Sequence, residues 1–225
     1  MFDNIKCDLT AAVEKDPAAK SKFEVFFTYG GFRALCAYRR AHWCYNHGLR
    51  FLSYIITARA RRNYGIEIHP AAKIGKGVFI DHGVGLVIGE TTEIGDNVTI
   101  YQGVTLGGTG KDVGKRHPTI GNNVMISAGA KILGPVVIGD NCRIGAGSVV
   151  LKNVPSHCTV VGVPGRIVRM HGEKYNDLDQ KLPDPVLEEF ARLNARLAEI
   201  EKDLHINACR YSITMPDEET TQKKE

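Results

Sequence analysis

Residues 83–110 read GVGLVIGETTEIGDNVTIYQGVTLGGTG, with an aliphatic residue at every sixth position, Ile88, Ile94, Ile100 and Leu106, and a glycine just after most of them. The spacing runs back through Ile80, Ile74 and Ile68 and forward through Ile120, Ile126, Ile132, Ile138, Ile144 and Val150. Four residues after most of these stands a second small or aliphatic residue: Val78, Thr92, Val98, Val104, Val124, Ala130, Val136, Cys142 and Ser148. A sustained period of six marks a repeat architecture, and two inward positions per repeat predict short faces stacked around a continuous apolar column. The register breaks twice. Ile80 to Ile88 spans eight residues, so two extra ones lie in or just after DHGVGLV. Leu106 to Ile120 spans fourteen, read as two repeats plus two extra residues. Between them GGTGKDVGKRHPT, with only Val113 as an inward aliphatic candidate, reads as a projecting loop. An interrupted solenoid accommodates function at its interruptions. Asp81-His82 sits at the first break and Arg116-His117 at the second.

Repeats of this kind resemble the left-handed parallel β-helix, in which three hexapeptides form one triangular coil; the handedness comes from that resemblance and not from the period. The predicted class is α+β in three parts. Residues 1–65 are rich in helix formers, with apolar residues three and four apart, and read as a helical N-terminal segment. Residues 66–170 hold the repeats. Residues 171–225 begin as a polar linker, reach the N-cap and first-turn pair Asp184-Pro185, and continue into the stripe Val186, Phe190, Leu193, Leu197, Ile200, Leu204. That a/d spacing predicts a C-terminal helix, packed on its own subunit or coiled about a symmetry axis. The closing residues, ending MPDEETTQKKE, read as a disordered tail.

At 43% hydrophobic residues the 225-residue chain can bury a sizeable core. It has no eighteen-residue apolar run, and its start, MFDNIKCDLTAAVEKDP, carries acids where a secretory leader carries bases, so the expected compartment is the cytoplasm, away from membranes. Six cysteines without a CxxC pair argue against a disulfide framework or zinc ribbon. The net charge of +4 is mild, and Lys111, Lys115, Arg116, Arg166 and Arg169 suit a small anionic ligand better than a nucleic-acid backbone.

Acyl transfer to an alcohol needs a base that accepts the hydroxyl proton at neutral pH, and histidine is the usual choice. His82 has a carboxylate fifteen residues upstream, Glu67, three short of a full coil, which sets the two on neighbouring rungs. A glutamate there can hold the imidazole tautomer and stabilise the imidazolium. The combination DHG-x-G-x-x-IGE (81–90), VTLGGTGK (104–111) and RHP (116–118) is similar to the catalytic domain of the serine O-acetyltransferase family. The resemblance covers residues 66–169 and extends more loosely to EKDPAA and GGFRALCAYRRAHW in the helical part. It implies transfer of an acetyl group from acetyl-CoA to L-serine, the first step of cysteine biosynthesis, with His82 as general base. Glu67 takes the place of a partner carboxylate that is aspartate in many members. The resemblance further implies serine-binding groups at Asp16, Asp81, Arg116 and His117. It implies an acetyl-CoA groove along Gly107, Gly108, Ser127, Ala128 and Ala146, where small residues admit the pantetheine arm, with Arg166 as a phosphate contact. Cys142, at an inward position, is expected to be buried and inert, so direct attack is preferred over an acyl-enzyme.

Alternative readings are an O-acetyltransferase acting on a sugar or other hydroxylated acceptor and a non-catalytic oligomeric scaffold. A zinc enzyme on the same fold would need an HxxxxH pair, but Asn122 stands five residues after His117, so no metal is expected. The narrow coil and the apolar helices need cover, which predicts a homo-oligomer, a trimer first. The family's docking onto O-acetylserine sulfhydrylase through a C-terminal isoleucine is argued against by the ending QKKE. The resemblance also implies an active site between subunits, with Arg116 and His117 of one chain facing His82 of the next.

Overall fold

The structure is a computed structural model that describes residues 2–110, 113–174, 192–197 and 200. Four helices open the chain: α1 (Phe2–Lys15), α2 (Lys22–Thr28), α3 (Gly30–Asn46) and α4 (Arg50–Tyr64). α4 ends on Gly65 in the left-handed conformation, whose N–H donates to the Arg61 carbonyl as a glycine helix stop does. Short strands then follow. The first face of a triangular prism is built from β1 (Glu67–Ile68), β4 (Val87–Ile88), β7 (Thr105–Gly107), β10 (Lys131–Leu133) and β13 (Val149–Val150). The second holds β2 (Lys73–Ile74), β5 (Glu93–Ile94), β8 (Thr119–Ile120) and β11 (Val137–Ile138). The third holds β3 (Phe79–Ile80), β6 (Thr99–Ile100), β9 (Met125–Ile126), β12 (Arg143–Ile144) and β14 (Cys158–Val161). The pairings among these strands are parallel, and the chain visits the faces in rotation up to β13, after which the second face receives only the single bridge of Val154 to Ile138 before β14. This is the three-faced parallel β-helix that the six-residue period implies.

All thirteen sixth-position aliphatics, Ile68 to Val150, are buried, and so are the nine residues four positions on. Together they form one column through the prism. The breaks are decided by register. Glu67 pairs with Val87, twenty residues on, whereas Val87 pairs with Thr105 at eighteen, so the first coil holds the two extra residues expected in the DHGVGLV region. Thr105 pairs with Lys131, twenty-six residues on, and β8 alone lies between β7 and β9. The stretch from Leu106 to Ile120 is therefore one repeat plus an eight-residue insertion, not two repeats plus two, because the loop residues supply no strand to any face. Val113 is fully exposed.

The three edges differ in chemistry. Between the second and third faces, Asn97, Asn123, Asn141 and His157 take left-handed φ values of 55° to 62°, a backbone that asparagine tolerates. Between the third and first faces the equivalent positions are Gly65, Gly85, Gly103, Gly129 and Gly147, at φ of 65° to 78°. Each of their N–H groups above Gly65 donates to the coil below, at Gly65, Val84, Gln102 and Ala128. The third edge, between first and second faces, carries the insertion. We name these the asparagine, glycine and loop edges.

The helices close the lower end of the prism. Ala34, Leu35 and Tyr38 of α3 join the column's core, and the Tyr38 hydroxyl donates to the Ala72 carbonyl at 2.5 Å. Arg39 is buried, with Nε 2.6 Å from Asp8 Oδ2 and Nη2 3.0 Å from Asp8 Oδ1, and Nη2 also donates to Gly75 O at 2.6 Å. Asp8 Oδ1 accepts from the Val78 N–H. One ion pair thus ties α1, α3 and the first coil, and residues Met1–Gln180 form one compact unit. After β14 the chain reverses into an antiparallel hairpin with β15 (Arg166–Met170) and β16 (Glu173–Lys174). β16 therefore occupies the start of the expected linker. Residues 192–197 are helical, whereas Asp184, Pro185, Val186, Phe190 and Leu204 lie outside the described residues, as does the tail. No helix among the described residues is long and apolar enough to cross a membrane.

Candidate active site

The two extra residues of the first coil make a tight turn at the glycine edge. Gly83 N–H donates back to Asp81 O at 2.6 Å, and His82 between them adopts φ 56°. That unusual backbone holds the imidazole out of the prism wall, 76% exposed, with Nε2 3.7 Å from Asp81 Oδ1. Asp16, at the end of α1, lies within electrostatic reach of His82. Its Oδ2 accepts from the Tyr29 hydroxyl at 2.6 Å and its Oδ1 from the Ala18 N–H at 2.8 Å. These bonds, the Tyr29 bond foremost, hold its carboxyl below the ordinary carboxylate value. Asp81 and His82 thus stand together at the glycine edge, with Asp16 within electrostatic reach of His82.

Glu67 lies on β1, below Val87 of the coil that follows the His82 turn. Its Oε2 accepts from Arg61 Nη1 at 3.2 Å, both side chains being more than half exposed. The described partner of Glu67 is therefore Arg61, reached by the last turn of α4.

Arg116 and His117 are brought together at the loop edge, where the insertion rejoins β8. Arg116 Nη2 lies 2.9 Å from Glu90 Oε2. The backbone N–H groups of Arg116 and His117 both donate to Thr91 Oγ1 at 3.1 Å. Thr91 N–H in turn donates to His117 Nδ1 at 3.2 Å, and the Thr91 hydroxyl sits 2.9 Å from the same nitrogen. A backbone N–H can only donate, so His117 Nδ1 is an acceptor and the neutral ring carries its proton on Nε2. Burial, and then the Arg116 charge, push the His117 pKa below its ordinary value, which keeps that tautomer. Gly89 packs so closely on this ring that any Cβ there would collide with its Cδ2 and Nε2. His82 and His117 occupy different edges of the chain.

Among the expected acetyl-CoA residues, Ser127, Ala128 and Ala146 lie at successive corners of the glycine edge, stacked through Gly147 N–H to Ala128 O at 2.9 Å. Gly107 ends β7 and, with Gly108, begins the loop edge, where Gly108 rests on Arg116. Arg166 opens β15, opposite Val161. Cys142 is buried, and burial raises its pKa, which makes it a poor nucleophile.

Residues 117–152 match the family described as bacterial transferase hexapeptide (six repeats), and residues 1–37 match serine acetyltransferase, N-terminal. The chain is 53% identical to the serine acetyltransferase of Bacillus pumilus over 205 residues, 90% of this chain and 94% of that one. The chain belongs to the serine acetyltransferase family. Among solved structures of serine acetyltransferases, that from Brucella abortus in complex with coenzyme A aligns with a TM-score of 0.74 at 46% identity, over 75% of this chain and 68% of that chain. The Neisseria gonorrhoeae enzyme in complex with serine aligns at 0.73 and 45%, over 75% and 69%. Against this serine acetyltransferase frame, the residues that motif reading misses are Tyr29, Thr91 and Arg61. Each acts on a motif residue from elsewhere in the chain, and Thr91, in the motif stretch IGETT, signals nothing until the fold lays it beside His117.

Proposed function

We propose that this chain transfers the acetyl group of acetyl-CoA to the hydroxyl of L-serine, giving O-acetyl-L-serine and CoA. The family assignment supports the substrates, since relatives at this level of identity are serine acetyltransferases and the solved ones include complexes with serine and with coenzyme A. His82 takes the serine hydroxyl proton as the oxygen attacks the thioester carbon. The tetrahedral intermediate then collapses, the C–S bond breaks, and protonated His82 returns the proton to the CoA thiolate. Glu67 is the carboxylate for the imidazolium: its pair with Arg61 is solvent-exposed, and such pairs contribute only about 0–1 kcal/mol, so it is given up cheaply. Asp16 and Asp81 accept from the serine ammonium, while Arg116 and the His117 Nε2–H hold its carboxylate. Gly107, Gly108, Ser127, Ala128 and Ala146 line the path of the pantetheine arm and Arg166 meets phosphate.

The observation that carries this reading is the split of the cluster between two edges. The ammonium-side acids and the base stand at the glycine edge, and the carboxylate-side cations at the loop edge. A second copy turning its loop edge to the first copy's glycine edge completes the site. Rotation about a threefold axis closes such heterologous contacts into a trimer, the assembly we propose, with the left-handed winding expected of hexapeptide transferases. The test follows free CoA thiol with acetyl-CoA and L-serine, homoserine or a sugar as acceptor. Serine-dependent release that falls by about 10²- to 10⁴-fold in His82→Ala is expected. Release with another acceptor alone moves the substrate, and no release with any acceptor leaves a scaffold.

A further inference from the structure

We infer that Tyr29 is a positioning residue for the amine end of the acceptor: it holds the Asp16 carboxylate at the His82 turn and so sets the preference for acceptors that carry an ammonium group. This rests on the acetyl-transfer reading above. Tyr29 is the single residue between α2 and α3, extended at φ −79° and ψ 110°, and it serves as C-cap of one helix and N-cap of the other. Its N–H donates to Val25 O at 3.2 Å and its carbonyl accepts from Arg33 N–H at 3.0 Å, so its backbone is tied on both sides. Its ring packs against the small core of Ala12, Val25, Phe32 and Phe79. Phe79 lies on β3, two residues before Asp81, so the ring joins the helical part to the strand that carries the His82 turn.

From that fixed ring the hydroxyl reaches Asp16 Oδ2 at 2.6 Å, a short bond of the charge-assisted kind. The other carboxylate oxygen is held by the Ala18 N–H. The turn between them is braced in its own right, by Glu24 N–H to Ser21 Oγ and Lys20 N–H to Glu24 Oε2. Each carboxylate oxygen has two acceptor sites and one is used on each, which leaves one site per oxygen for an ammonium donor. The bond to Asp16 first, then burial, then the charges of Asp16, Glu24 and Asp81 push the Tyr29 hydroxyl up to about 12, so it remains a donor at every working pH. Asp81 is among the charges that act on Tyr29, which lies within electrostatic reach of both ammonium-side carboxylates.

The test is steady-state kinetics of the full chain with L-serine, with acetyl-CoA, and with 3-hydroxypropionate, which is serine without its amine. Tyr29→Phe keeps the ring and removes the donor. The serine KM is expected to rise about tenfold, as for the loss of one hydrogen bond to a charged group, with kcat within about threefold and the acetyl-CoA KM unchanged. The preference for serine over 3-hydroxypropionate should shrink by the same factor, and Tyr29→Phe added to Asp16→Asn should cost nothing further. An unchanged serine KM overturns the assignment, as does an equal rise in both KM values with a lowered Tm. Asp16→Asn alone is the second variant, and if it leaves the discrimination intact the assignment falls too. Wild-type protein that releases no CoA with serine removes the underlying reading, a result recorded before any variant is compared.

Discussion

Thr91 and His117 show what a single contact contributes. The motif RHP marks His117 as a candidate, yet its tautomer, with the proton on Nε2, is imposed by a threonine twenty-six residues earlier. The folded state depresses the His117 pKa below the ordinary 6.5, with burial as the first cause. A depressed pKa means that the unfolded chain binds the proton more readily, so this contribution to stability is complete above about pH 6.5 and is lost as pH falls through the lower folded value. His69, also depressed by burial, acts in the same direction. The Tm of the wild-type protein should therefore drop as pH is lowered from 7 to 5, and the drop should be smaller in His117→Asn; equal slopes in thermal melts of the two proteins would sink this account.

The informative elements are the edges. The asparagine and glycine edges present the same left-handed backbone, but above Gly77 the first carries side chains at Asn97, Asn123, Asn141 and His157, whereas the second has glycine at all five equivalent positions, His82 lying in the extra turn. Asparagine satisfies that backbone, so conformation alone does not demand five glycines in a row; a surface on which something must lie against the backbone does. Gly129 separates the two demands, because a Cβ there meets Gly147 only at ordinary contact distance, 3.9 Å. Gly129→Asn should keep the fold, with a Tm change under about 1 kcal/mol equivalent. It should raise the acetyl-CoA KM several-fold while leaving the serine KM alone. Titration of both substrates reads the difference, and equal effects on the two would detach the glycine edge from the donor.

The whole molecule poses the question of completeness. On the proposed roles, with the base on one edge and the carboxylate-binding cations on another, an isolated chain would hold two half-sites. His82→Ala and Arg116→Ala should each be inactive alone. Co-expressed in equal amounts, they should recover roughly a quarter of wild-type sites, the fraction in which an intact glycine edge meets an intact loop edge in a randomly mixed ring. Light scattering should find three copies of the 24.7 kDa chain. No recovery in the mixed protein would place all catalytic groups within one chain.

The coil was legible because a period of six with two inward positions per repeat is a local statement: each face needs its own aliphatic, whatever lies above or below. Both interruptions could be located, but the length of the second could not, because loop residues obey no period, and only the pairing of Thr105 with Lys131 counts them. His82, Asp81, Arg116 and His117 stood out through their motif. Tyr29 beside Asp16, Arg61 beside Glu67 and Thr91 beside His117 came from tertiary structure alone, since each joins residues whose separation is set by a helix junction, a capped helix end or an irregular loop. Periodicity carries what repeats along the chain, and contacts made once between non-repeating parts exist only after the chain has folded.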